Sequence, residues 1–187
     1  TDAALRVLKS NGITNVRIER VSGSLTDHYD PSSNVIRLSD EVYSSTSVSA
    51  VGVAAHEAGH AVQNQESYFP IKIRQAMVPI TQFSSRLSIP LIIIGLFLPT
   101  GLNFFVTLGI ILFSVSVLFE IITLPVEFNA SKRAINALDS SDILYGDELK
   151  GAKKVLFAAA MTYLAAMLTS VMSLIRLILI SNSRRRD

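Results

Sequence analysis

Two stretches of this chain carry no charged side chain: Leu87 to Phe119 and Val155 to Ile175. Each exceeds the ~18 residues that mark a candidate membrane-spanning helix. A large soluble protein could bury such segments, but a chain of 187 residues is too small to enclose them. Only 17% of residues are charged and 49% are hydrophobic, with a mean hydropathy of +0.41. An ordinary soluble domain carries about 25% charged residues, so this chain is short of what a water-facing surface needs. High apolar content with small net charge excludes disorder. Seventeen basic against 15 acidic residues leave +2, too balanced to suggest nucleic acid, and no nucleic-acid partner is expected. The absence of cysteine excludes a disulfide framework, a thiol nucleophile and any Cys-ligated zinc or iron–sulfur site.

The first charge-free stretch divides at Pro99-Thr100-Gly101, which predicts a turn. Leu102 to Leu124 would reach about 35 Å as a helix, enough to cross a bilayer. Leu87 to Leu98 is too short alone, so its arm must start near Val78 and carry Arg86, whose guanidinium would snorkel toward headgroups. Residues 78–98 and 102–124 thus read as a transmembrane helical hairpin, and 155–180 as a third span. The hairpin turn carries no charge, whereas Lys72, Arg74, Lys132 and Arg133 flank its open ends. The positive-inside rule then places those ends in the cytoplasm. Three spans would leave Arg184-Arg185-Arg186 outside, against the same rule. Nothing at the start resembles a cleavable signal peptide, and the opening at Thr1 without methionine predicts a preceding N-terminal piece.

Residues 1–86 hold most of the polar sequence. Ala3 to Ser10 reads as a short helix stopped at Asn11-Gly12, and Val16–Arg20 and Val35–Leu38 as short strands around the turn-rich 30–34. A further helix is expected to begin at Ser47, a good N-cap, and to run to Gln63. It contains His56-Glu57-Ala58-Gly59-His60, an HExxH element. The i, i+4 spacing stacks both imidazoles on one helical face, able to share one metal ion, with Glu57 beside them to take a proton from water. Zinc suits imidazole ligation and keeps an open position in catalytic sites. The bland alternative is a pair of helix histidines in ordinary hydrogen bonds.

Without cysteine, a third ligand must come from His28 or a carboxylate. Glu127 is the candidate: it follows Leu124-Pro125-Val126 at the end of the second hairpin arm. A hairpin that leaves soon after the HExxH helix returns the chain to the level it left. The alternative for Glu127 is a solvated residue at a helix end. Asp27-His28-Tyr29-Asp30 reads either as an edge strand binding substrate backbone, with His28 donating to an oxyanion, or as a polar turn before a strand. Tyr29 and Tyr163 are weaker oxyanion candidates. Lys132, Arg133 and Arg184 to Arg186 read as headgroup contacts.

Across nearly its whole length the chain resembles the neutral zinc metallopeptidase family, the YugP-like bacterial membrane proteases. The resemblance is carried by Gly23-Ser24-Leu25-Thr26-Asp27-His28-Tyr29-Asp30-Pro31, Val35-Ile36-Arg37-Leu38-Ser39, the HExxH helix, Thr123-Leu124-Pro125-Val126-Glu127-Phe128-Asn129-Ala130-Ser131 and Met161-Thr162-Tyr163. Members of that family usually carry a further N-terminal membrane helix, which would precede Thr1. More distantly, HExxH paired with a Glu-aromatic-x-Ala segment is similar to HtpX-like and CAAX-processing peptidases, where the Glu is the third zinc ligand. That similarity implies metal ligation by His56, His60 and Glu127. The wider group places an aspartate four residues after the Glu to orient a ligand histidine; here that position is Ser131, with Asp27, Asp30 or Asn129 as candidate substitutes.

The expected fold is a mainly α membrane protein with a zincin-type, gluzincin-like core and a short β-hairpin or small sheet. Residues 1–77 would form the catalytic half, 78–124 the hairpin, 125–154 the third-ligand helix and connection, and 155–187 the C-terminal membrane helix and basic tail. The expected function is a zinc metalloendopeptidase of the bacterial cell membrane, cutting membrane-associated proteins or peptides, with Glu57 as general base. One rival is a site-2-type intramembrane protease, for which Leu138-Asp139-Ser140 is a near miss to a Leu-Asp-Gly ligand element. A second is a non-enzymatic module or scaffold within a larger membrane complex, its zinc structural and His28 a fourth ligand.

Overall fold

The structure is a computed structural model and describes residues 1–99, 103–141 and 143–184. Its elements follow the order α1 (Asp2–Ser10), β1 (Arg17–Val21), β2 (His28–Asp30), β3 (Val35–Ser39), α2 (Asp40–Tyr43), α3 (Val48–Gln65), α4 (Phe69–Phe97), α5 (Phe104–Ser140) and α6 (Gly146–Arg184). The chain divides into two compact units: Thr1–Lys72 with Pro125–Met161, and Ile73–Leu124 with Thr162–Asp187.

In the first unit, α1 ends where the sequence predicts, at Asn11, with Gly12 at φ +69 where a side chain would be strained. The three strands form a sheet of order β1-β3-β2. Here the arrangement is more specific than the sequence pattern. The two expected strands, β1 and β3, run parallel from Arg17↔Val35 to Val21↔Ser39, so they are not a hairpin. The hairpin is β2 with β3, antiparallel from His28↔Arg37 to Asp30↔Val35. Its turn closes because Asp30 Oδ1 accepts from the Ser32 backbone N–H at 2.9 Å and Asn34 takes φ +55, a conformation asparagine tolerates. Central β3 buries Val35, Ile36 and Leu38, as a strand paired on both sides should.

Helix α3 starts where Ser47 Oγ accepts from the Ala50 N–H at 3.2 Å, satisfying one of the donors left free at a helix start. Its buried side is rich in alanine: Ala50, Ala54, Ala55, Ala58 and Ala61 join α1, β3, α5 and α6 residues in one core. Small side chains let α3 lie close to its neighbours. At Gly59 an added Cβ would stand only 2.7 Å from the Ala130 carbonyl oxygen of α5. The α3–α5 crossing therefore needs hydrogen at that position.

The second unit contains the remainder of α4, α5 and α6. Here too the helices meet through small residues: a Cβ on Gly109 of α5 would fall 2.5 Å from Ile92 Cγ1 and 2.8 Å from the Ser88 carbonyl of α4. Ser170 Oγ donates to Glu120 Oε1 at 3.0 Å, pairing an acidic group inside an apolar helix. The surface inverts the first unit. Ile93, Ile94, Ile111, Leu118, Met172 and Leu179 are exposed. The most apolar windows of α4, α5 and α6 have mean hydropathies of 1.5, 2.5 and 2.0, yet only 22%, 17% and 6% of them is buried within the protein. Apolar faces on that scale call for hydrocarbon around them.

All three helices outrun the expected spans. α4 begins at Phe69 rather than near Val78, and α6 at Gly146 rather than Val155. α5 continues through Pro125 to Ser140 because Ala130, Ala134 and Ala137 favour the helix and pack into the core. Of the expected turn, Thr100 and Gly101 lie outside the described residues, as do Arg185 and Arg186 of the basic tail.

Candidate metal centre

Two helices build the centre. On α3, His56 and His60 are one turn apart, with ring centroids separated by 4.7 Å and planes at 83°. On α5, Glu127 lies directly opposite, because the Gly59–Ala130 contact brings the backbones together one turn away. His56 Nε2 lies 3.2 Å and His60 Nε2 3.7 Å from the same atom, Glu127 Oε2. All three ligand atoms fall within 4.8 Å of one another. Ligand atoms ~2.0–2.1 Å from a tetrahedral zinc stand about 3.4 Å apart, and the two His–Glu127 distances fall on either side of that figure. Two neutral imidazoles and one carboxylate are also a zinc donor set with a fourth position left over.

The surroundings favour a bound cation. Glu127 is 2% exposed and His60 7%, so the carboxylate is shielded from water and needs a positive partner. Glu57, 8% exposed, makes no hydrogen bond or ion pair with any described residue, leaving its carboxylate uncommitted.

The far nitrogens of both rings are also engaged. Ser131 Oγ lies 3.1 Å from His56 Nδ1. Gln63 Oε1 lies 3.0 Å from His60 Nδ1. Gln63 is fully buried, and its Nε2 donates to the Val126 carbonyl at 2.8 Å and to Asn129 Oδ1 at 3.0 Å. Asn129 Oδ1 accepts in turn from Arg133 Nε at 2.7 Å, and Arg133 pairs with Glu66 at 2.7 Å. Gln63 was not among the residues singled out by sequence. Its signal was there: three residues beyond His60, it continues the His56–His60 face of α3.

The aspartates considered as substitutes for the missing orienting residue are occupied elsewhere. Asp27 accepts from the Ser39 N–H at 2.8 Å and from Ser39 Oγ at 3.0 Å. Asp30 is held by Ser32, Ser33 and Arg37, and these hydrogen bonds keep its carboxyl well below the usual range. Asn129 does take part, through Gln63 rather than by touching a histidine.

His28 is exposed at the start of β2, with Nδ1 donating to the Thr26 carbonyl at 2.7 Å and Nε2 facing Arg37 Nη1 at 3.5 Å. It is not part of the three-residue metal group. The neighbouring Tyr29 fastens β2 to α3: its hydroxyl accepts from Asn64 Nδ2 at 3.1 Å and donates to Asn34 Oδ1 at 2.7 Å. Burial pushes that phenol above its ordinary range, against the Asn64 hydrogen bond. Asp139 is exposed near the end of α5 and is also outside the group, and Tyr163 lies in the second unit.

Comparison with known proteins agrees with this chemistry. Residues 1–182 match the family model described as "Putative neutral zinc metallopeptidase". The chain is 48% identical over 179 residues to a Bacillus subtilis (strain 168) protein named "Putative membrane protease YugP", covering 96% of this chain and 79% of that protein. No solved structure matches the chain. Zinc is therefore the metal for which the His56, His60 and Glu127 cluster is suited, and the chain belongs to the neutral zinc metallopeptidase family.

Proposed function

We propose that this protein is a membrane-embedded zinc endopeptidase with a zincin-type, gluzincin-like site, cutting protein segments at the membrane surface. The observation that carries this is the meeting of His56, His60 and Glu127 on one point, with the uncommitted carboxylate of Glu57 on the same helix. When bound, zinc supplies Lewis-acid polarisation and makes water acidic near neutral pH. His56 Nε2, His60 Nε2 and Glu127 Oε2 would hold it. Glu57 would take the proton from the attacking water and hand it to the departing amine. The α3–α5 packing limits solvent around these groups, which strengthens their electrostatics.

Among the described residues β2 pairs only with β3, which leaves an outer edge to which an extended substrate could add as a strand. We assign His28 to contact with that substrate; an oxyanion role would require its Nε2 to carry a proton and turn from Arg37. A four-ligand structural zinc is the weaker reading, since both nitrogens of His28 already face Thr26 and Arg37. Charge asymmetry supports a multi-pass orientation with the site facing the cytoplasm, among membrane proteins and their emerging tails.

The test is Glu57→Gln in purified, detergent-solubilised protein, with bound zinc and cleavage of β-casein both measured. Zinc should remain stoichiometric while cleavage falls about 10²–10⁴-fold, the range for a general base. Unchanged proteolysis would remove Glu57 from the mechanism. Parent protein purified without zinc would remove the metal from the reading.

A further inference from the structure

We infer that Ser131 and Gln63 are the positioning residues of the two zinc imidazoles: Ser131 fixes the rotation of the His56 ring, Gln63 the rotation and tautomer of His60, and neither places a charge beside its ring. This rests on the assignment of the metal to His56, His60 and Glu127. An imidazole binds a metal through one unprotonated nitrogen, so whichever group holds the other nitrogen decides whether the ring is ready. In both rings Nε2 faces Glu127, which leaves Nδ1 to be held.

For His60 the tautomer follows from counting donors. The Gln63 amide nitrogen must donate, and both of its partners, the Val126 carbonyl and Asn129 Oδ1, are acceptors. Reversing the amide would turn its oxygen toward two other oxygens, so the orientation is set. Asn129 is fixed the same way, because its Oδ1 accepts from Arg133 Nε, and Arg133 is anchored by Glu66. The Gln63 oxygen can therefore only accept, His60 Nδ1 must carry the proton, and His60 Nε2 presents its lone pair to the metal. The chain from Glu66 to His60 ends in neutral amides and keeps its charges at the outer end.

For His56 the partner is a hydroxyl 3.1 Å from Nδ1, which holds the ring's rotation and can accept the Nδ1 proton when Nε2 binds the metal. Ser131 stands one turn beyond Glu127 on α5, as Gln63 stands one turn beyond His60 on α3. Each helix thus supplies ligation from one turn and orientation of the other helix's or its own imidazole from the next. A carboxylate in either place would raise ring basicity; a hydroxyl and an amide orient the ring and leave basicity nearly alone.

The test is zinc affinity, read by competition with a fluorescent chelator on the detergent-solubilised full chain, together with the imidazole ¹⁵N shifts of the zinc-free protein. Zinc binding by the parent, abolished by His60→Ala, first establishes the ligand assignment independently of the inference. Ser131→Ala should then weaken zinc about 10–100-fold, with Ser131→Thr restoring the affinity. Gln63→Leu should weaken zinc by a similar factor and let His60 populate both tautomers, read from its ¹⁵N shifts. Should Gln63→Leu fail to fold, the Ser131 pair decides alone, since deleting one hydroxyl removes little packing. Ser131→Ala with parental zinc affinity would overturn the inference.

Discussion

The α3–α5 crossing and the β2 edge look alike in sequence, since each sets histidine among acidic groups, but the fold treats them in opposite ways. At the crossing, groups from distant parts of the chain converge in a dry place: Glu127 is 71 residues from His56 and 2% exposed. At the edge, His28 and Asp30 bond to residues nine or fewer positions away, Arg37 adds Glu19 from the neighbouring β1, and none of the three is buried. Polar groups that satisfy each other locally need nothing further. Polar groups forced together by helix packing, with one carboxylate left uncommitted, need a ligand. Density of ionisable residues is thus a poor guide to a site; burial combined with separation along the chain is a better one.

Removing one acidic or imidazole group from each place gives the largest contrast. Glu127→Ala deletes a ligand, so zinc affinity should fall by more than the ~10–100-fold expected for a residue that only orients one. His28→Ala should leave zinc affinity unchanged and act, if substrate adds to β2, on KM for casein. Metal analysis with steady-state kinetics separates the two. Zinc loss in His28→Ala would erase the distinction between the regions.

A finer contrast lies within α3. An alanine Cβ at Gly59 would press on the Ala130 backbone at 2.7 Å, where no flexible side chain can yield. Overpacking of that kind costs about 1–3 kcal/mol. It should also move Glu127 off the histidines, so Gly59→Ala should lower both melting temperature and zinc affinity. At Gly52 the same Cβ would lie 3.7 Å from Ala152 Cβ and 3.8 Å from Leu156 Cγ, ordinary contacts. Gly52→Ala should therefore stabilise by about 1 kcal/mol, the helix-propensity gain, with zinc affinity untouched. Equal behaviour of the two variants would mean that the crossing does not depend on close approach.

What the sequence revealed, and what it withheld, follows from the range of the forces involved. Ser47 as N-cap, the Asn11-Gly12 stop and the HExxH face are set by neighbours within a turn, and each was readable. Charge-free length alone marked the apolar helices. Glu127 was reachable because a returning hairpin constrains where its far end goes. Gln63 shares the His56–His60 face, but that position does not tell an orienting amide from an ordinary polar residue until Val126, Asn129 and His60 surround it. Sheet order was hidden for the same reason: nothing local says that β1 would pair parallel with β3 across an intervening strand.

The smallest effect belongs to the β2 edge and tests whether its polar cluster is structural. Asp30 accepts from Ser32, Ser33 and Arg37, which holds its carboxyl well below the ordinary carboxylate range. A group whose folded-state pKa is depressed stabilises the fold above its unfolded pKa of about 3.9, and that contribution is lost as pH falls below it. Asp30→Asn should therefore melt slightly below the parent at pH 7, by no more than an exposed ion pair is worth. The gap should narrow below about pH 4, where the parent's unfolded chain takes up a proton at Asp30 while the folded state keeps its charge. Measuring metal-free protein keeps acid release of zinc out of the comparison. A gap that stays constant from pH 7 to pH 3 would mean that the turn is held by packing and backbone hydrogen bonds, with the charge of Asp30 contributing nothing.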